Sequence, residues 1–134
     1  VMVMQTFMAG TSFMRTESVA LSVQQSARTI MKRFAADIRM ATIPVAAATL
    51  TDTGDAVTIT TRTGSVVWGV APFGTSATVR CLTRNGANVG AYLVSMRIDP
   101  SADSADVVLV LRGQTVTGRI IDYTLSRKVR WRNV

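Results

Sequence analysis

The chain contains no histidine and a single cysteine in 134 residues. Without histidine it lacks the commonest general base, the commonest metal ligand and the side chain that titrates near neutral pH. A Ser–His–Asp triad is therefore excluded. With Cys81 alone, neither an intrachain disulfide nor a cysteine-based zinc site can form. Neither GxxxxGK[ST] nor GxGxxG occurs, so phosphate-cradling loops are missing as well. Lys32 and Lys128 are the only lysines, a thin basis for a Ser–Lys nucleophile. These absences lead to the expectation that the protein is not an enzyme and uses no cofactor. Acidic residues are few too: 8 Asp+Glu against 15 Lys+Arg leave a net charge of +7. Such a field favours polyanions, anionic lipid headgroups or an acidic partner.

At 48% hydrophobic and 17% charged, the chain has enough apolar residues for one packed domain and too few charges for intrinsic disorder. The hydrophobicity is unevenly placed. Residues 1–14, VMVMQTFMAGTSFM, carry no charge, and the first charged residues are Arg15 and Glu17. A helix needs about 20 apolar residues to cross a bilayer, so this run is too short to do so alone. It also lacks the basic start of a signal peptide. Two expectations remain: a buried core helix, or the end of a longer apolar helix cut at Val1, the uncapped start favouring the second.

Beyond Arg15 the pattern is helical. Ala20, Val23, Ala27, Ile30, Phe34, Ile38 and Ala41 recur at steps of three and four and share one face, which Met31 widens. Arg28, Lys32, Arg33, Asp37 and Arg39 are expected largely off that face. The Ile43-Pro44 step is the expected end of the helix. A continuous helix from Val1 to Ile43 would be roughly 64 Å long at 1.5 Å per residue, so its N-terminal part is expected to project and pack on something outside the chain.

From Pro44 the residues change to Thr, Val and alternating patterns. AVTITT and SVVWGV flank a hairpin-length break at 62–64, SATVRCLTR ends in the turn dipeptide Asn85-Gly86, and VGAYLVSMRID, ADVVLVLRG and RIIDYTLSRKVRWRNV follow. The expected head is an antiparallel meander of five or six strands, with at most a short edge pairing from residues 45–50. The expected fold class is α+β, a long N-terminal helix packed against one antiparallel sheet.

Few residues in the head suggest chemistry. Asp99, Asp103 and Asp106 crowd a loop and are weak calcium candidates, since that ion takes six to eight oxygens; a solvated polar turn explains them equally. Cys81, on the same face as Val79, is expected to be a small buried residue. Trp68 is expected between helix and sheet. Arg127, Lys128, Arg130 and Arg132, with Trp131 among them, could hold phosphates and stack a base. Alternation offers another reading, a final strand with Val129 and Trp131 inward and Lys128, Arg130 and Arg132 outward.

The order of these segments resembles the type IV pilin-like superfamily. An apolar helix runs into the amphipathic QQSARTIMKRFAADIRMA, whose ending RFAADIRMA resembles that of W-type minor pilins and J-type minor pseudopilins. AVTITT, SVVWGV, SATVRCLTRNG and KVRWRNV follow in the order of that family's head strands. The leader, its cleavage-site glycine, the first mature phenylalanine and the glutamate behind it do not occur here. Nor do the paired C-terminal cysteines of many pilins, which leans toward a minor pilin or pseudopilin.

The resemblance implies a pilin-like α+β subunit of a type IV pilus or a related type II secretion or competence filament. Residues 1–43 would be its helix, with 1–14 the membrane and filament-core part and 15–43 an amphipathic spine, and 44–134 its globular head. Assembly would run through Val1, Met4, Phe7, Met8, Gly10, Phe13 and Met14, with other copies or other pilins as partners. The inner membrane would hold the subunit beforehand, its head periplasmic. An apolar helix is stable in lipid and equally so when bundled in a filament, and head-to-tail contacts give open polymers. Two other readings stand beside this one: a competence pilin binding DNA through the basic C-terminal strand, and a soluble basic partner-binding domain unrelated to pili.

Overall fold

In the computed structural model residues 2–75, 79–114 and 118–131 are described, with the side chains of the helix from Val19 onward. One helix, α1 (Met2–Arg39), precedes β1 (Ala48–Leu50), β2 (Ala56–Thr61), β3 (Gly64–Pro72), β4 (Arg80–Arg84), β5 (Ala87–Ala91), β6 (Leu93–Pro100), β7 (Ser104–Gln114) and β8 (Ile120–Arg130). The strands form two antiparallel four-stranded sheets, ordered β1-β6-β7-β8 and β2-β3-β4-β5.

This corrects the expected fold class. The protein is mostly β, with two separate sheets where the sequence suggested one meander, and it is not a long helix laid along one antiparallel sheet. The part of α1 seen to pack is the segment from Val23 to Ile38, which shares a single core with strands of both sheets. The break lies at Tyr92. Its φ of 63° puts a bulky residue in the left-handed region, between the last residue of β5 and the first of β6. The chain turns there, so VGAYLVSMRID, which reads as one strand, becomes two strands in different sheets. Leaving β5, β6 pairs instead with β7 and with the short edge strand β1.

Local chemistry accounts for the hairpins. Asn85 and Gly86 both take positive φ, 51° and 84°, as the two central residues of a type I′ turn require. Between β2 and β3, the Thr61 hydroxyl donates to the Gly64 carbonyl at 2.9 Å and closes the turn over Arg62-Thr63.

The helical stripe is the centre of the core. Val23, Ala27, Ile30, Phe34 and Ile38 are buried, with Met31 and Ala35 beside them. From one sheet Met96, Ile98, Val107, Leu109, Leu111 and Val129 meet this stripe; from the other, Val57, Ile59, Trp68, Val70 and Leu82 do. Trp68 is fully buried and meets Phe34 edge to face, ring centroids 5.0 Å apart at 89°.

One further expectation needs correction. The helix stops at Arg39 rather than Ile43, because the chain after it turns to β2: Ala41 bridges Thr61 and the Thr42 amide donates to the Thr60 carbonyl at 2.8 Å. Cys81 is buried, as expected, and Leu82, on the opposite face of β4, enters the main core. The Cys81 thiol lies 3.8 Å from the Pro72 carbonyl.

Two glycines set how closely α1 approaches each sheet. A Cβ on Gly90 of β5 would lie 2.5 Å from Ile30 Cδ1, and one on Gly113 of β7 would lie 2.7 Å from Val23 Cγ2 and 2.8 Å from Val19 Cγ1. Ile30 can swing its terminal methyl, whereas both valines are stiff at χ1. Gly113→Ala is therefore expected to destabilise the fold by about 1–3 kcal/mol through overpacking. The readout is a lower urea midpoint at unchanged slope; an unchanged midpoint would mean that α1 can lift off β7 at no cost.

Candidate functional site

The most highly organised polar group in the protein is Asp37, in the last turn of α1. The sequence reading set it largely off the apolar stripe, and the structure buries it, 9% exposed. Its carboxylate accepts the Trp68 indole N–H at 2.7 Å, and takes the Arg84 guanidinium through Nε at 2.8 Å and Nη2 at 3.1 Å. Three donors thereby tie the helix to β3 and β4. By hydrogen bonding first and by charge second, Asp37 raises Arg84 above its ordinary guanidinium value. A carboxylate so engaged holds three elements together.

The open surface of the molecule centres on Tyr92. Its strained backbone carries a ring tilted against Phe73, centroids 6.0 Å apart, and its carbonyl accepts the Arg112 amide at 2.9 Å. Tyr92, Phe73 and Ile120 are exposed. Tyr92 borders two grooves. One, about 390 Å³, lies beside Val19, Val23 and Gly113; the other, about 370 Å³, runs past Leu93, Val94 and Ile120. The two arginines lining the second groove are engaged, Arg80 with Asp52 at 3.4 Å and Arg112 with Asp122 at 2.8 Å. Hydrogen bonding to Arg112 holds the Asp122 carboxyl below the usual carboxylate range. Aromatic surface with neutralised charge suits contact with another macromolecule better than acid–base chemistry.

The structure disperses the other candidates. Along β8, Val129 is buried while Lys128 and Arg130 are exposed, as alternation predicts. Arg127 shares its face with Leu125 and Val129, so the basic run is divided between two faces and is not one contact strip. Trp131 is half-buried; its amide donates to the Asp103 carbonyl at 3.1 Å and its indole N–H to the Ser101 carbonyl at 3.3 Å. It closes the β6–β7 turn, so its edge is not free to a base. Arg132 lies outside the described residues.

The three aspartates do not converge. Asp99 faces Asp106 across β6 and β7 and pairs with Arg97 at 3.0 Å, while Asp103 accepts hydrogen bonds from Ser101 and Ser104 within the turn. Among the described residues no group of three potential metal-ligating His, Cys, Asp or Glu side chains comes together. Of the assembly residues, Met4, Phe7, Met8, Gly10, Phe13 and Met14 lie on α1, and Val1 is outside the described residues.

No family model, curated protein or solved structure matches this chain.

The Asp37 cluster carries a direct test. Asp37→Ala strands the Trp68 indole N–H and one face of Arg84. A fully buried pair broken on one side costs about 3–5 kcal/mol. Because Arg84 keeps 39% of its side chain exposed, the expected loss is nearer 2 kcal/mol. Asp37→Asn retains an acceptor and should lose less. Urea unfolding followed by tryptophan fluorescence reads both, and equal stability of the two variants with the parent would remove Asp37 from this role.

Proposed function

We propose that the chain is a non-enzymatic structural subunit that assembles through α1 with other copies or related subunits, as in type IV pili and related secretion filaments. The observation that carries this reading is the continuity of α1, a single helix from Met2 to Arg39. Strand β7 ends at Gln114, and Gly113 just before it lies beneath Val19 and Val23. The helix extends from there back to Met2, roughly 25 Å of further rise. The first fourteen residues of the sequence are uncharged. An uncharged helical stretch of that length is best accommodated against other helices, and repeated head-to-tail contact of this kind gives an open polymer. Among the described residues no helix is long and apolar enough to cross a membrane. The reading therefore rests on helix-to-helix packing and not on a bilayer.

The test uses the full chain carried with two different tags in one cell. Recovery of one tagged copy with the other is expected, and Phe7→Asp or Phe13→Asp should reduce it at least tenfold while native tryptophan fluorescence is kept. Association untouched by either charge, or a chain that never associates, would overturn the reading.

A further inference from the structure

The longest exposed backbone edge belongs to β8. Among the described residues it pairs with β7 alone and lies last in its sheet. Which of its backbone groups point outward follows from the register. Trp131 donates its amide to Asp103, and the pairing Ser104↔Arg130 through Gln114↔Ile120 runs without a bulge. Odd-numbered residues of β8 therefore direct N–H and C=O to β7, and even-numbered residues direct theirs away from it. The Arg112 amide bonding to Tyr92 on the β6 side fits the same alternation, seen from β7. From Ile120 to Arg130 the even positions also have exposed side chains.

Basic residues on a sheet edge ordinarily deter another strand. Here one arrangement turns them into partners. If a second β8 lies antiparallel with Leu125 opposite Leu125, all eleven residues overlap and the outward-pointing even residues face one another. Lys128 then stands opposite Asp122 and Arg127 opposite Tyr123, each twice by symmetry, and Ser126 stands opposite Thr124. Opposite charges and a cation against an aromatic ring are favourable cross-strand neighbours. Shifting the centre to Thr124 sets Lys128 against Ile120; shifting it to Ser126 sets Asp122 against Arg130 but leaves Ile120 without a partner. Overlap of all eleven residues, with Asp122 still set against a cation, thus selects the register about Leu125.

We propose that the outer edge of β8 is a self-association surface that takes a second copy of this chain, antiparallel about Leu125, to join two four-stranded sheets into one. This contact is separate from assembly through α1. It is isologous and closes as a dimer, supplying the main-chain hydrogen bonds of strand addition.

Cysteine cross-linking of the full chain tests the register, since the native Cys81 is buried. Under mild oxidant, Leu125→Cys is expected to form a disulfide dimer, because residues facing each other at a non-hydrogen-bonded position lie about 4.5 Å apart at Cα. Thr124→Cys alone should stay monomeric, while a mixture of Thr124→Cys and Ser126→Cys chains should cross-link, two exposed sites that spare the core. Adding Thr124→Pro to Leu125→Cys removes an outward N–H without touching the β7 ladder and should cut the dimer yield at least tenfold. The same chain carrying Phe13→Asp should still cross-link, which separates this contact from helix assembly. No dimer from either Leu125→Cys or the mixture overturns the proposal. So does equal cross-linking of Thr124→Cys alone, which marks random collision, or capture of an acidic strand peptide by a chain that stays monomeric.

Discussion

Much of the arrangement depends on one carboxylate being taken out of water. Removing Asp37 from solvent is costly unless its oxygens are filled, and the three donors from Trp68 and Arg84 fill them. Asp37 stands three residues after Phe34, one turn on along the same side of α1. Trp68 thus donates its hydrogen bond to one turn of the helix and takes its ring contact from the turn before. A rotation of α1 about its axis would break both at once. The hydrogen bonds fix the helical phase, and that phase presents Ile30 to Gly90 on one sheet and Val23 to Gly113 on the other.

The same residues show how far the fold could be read in advance. The apolar stripe of α1, the Asn85-Gly86 hairpin, the burial of Trp68 and the alternation around Val129 follow from spacing and turn chemistry, and the structure has them. The division into two sheets does not follow. Strand breaks are read from glycine, proline or asparagine, and Ala91-Tyr92-Leu93 contains none of them. A tyrosine held at φ 63° is a feature its surroundings impose, here with the carbonyl fixed by Arg112 and the ring set against Phe73. Without that break the strands read as one meander of five or six, and the fold class is misjudged accordingly.

The site residues divide along a similar line. Asp37 was set largely off the stripe with the other charged residues, although its spacing from Ile30 and Phe34 puts it at the margin of the buried face. The signal was present in the period and was overridden by residue type. What the period could not supply was Arg84, 47 residues away and brought near only by the pairing of β3 with β4. For the basic run alternation was the better guide: four cations close in sequence could suggest one surface, but the period of two already sends Arg127 to the face opposite Lys128 and Arg130, and the structure agrees.

Sheet order gives β8 its importance. Had the strands closed into one sheet in sequence order, the β5 and β6 segments would be joined; separated at Tyr92, the second sheet begins with a three-residue strand and ends with an eleven-residue one. Helix α1 packs against β8 and so shields apolar side chains such as Val129 and Leu125. It can do nothing for the strand's outer edge, because a helix satisfies its own amides and carbonyls internally and has none to lend between its ends. Only water or another strand can meet the outward groups of Ile120, Asp122, Thr124, Ser126, Lys128 and Arg130. Against a second β8, Lys128 meets Asp122, whose carboxylate Arg112 already fixes at 2.8 Å, so the seam charge is presented in place.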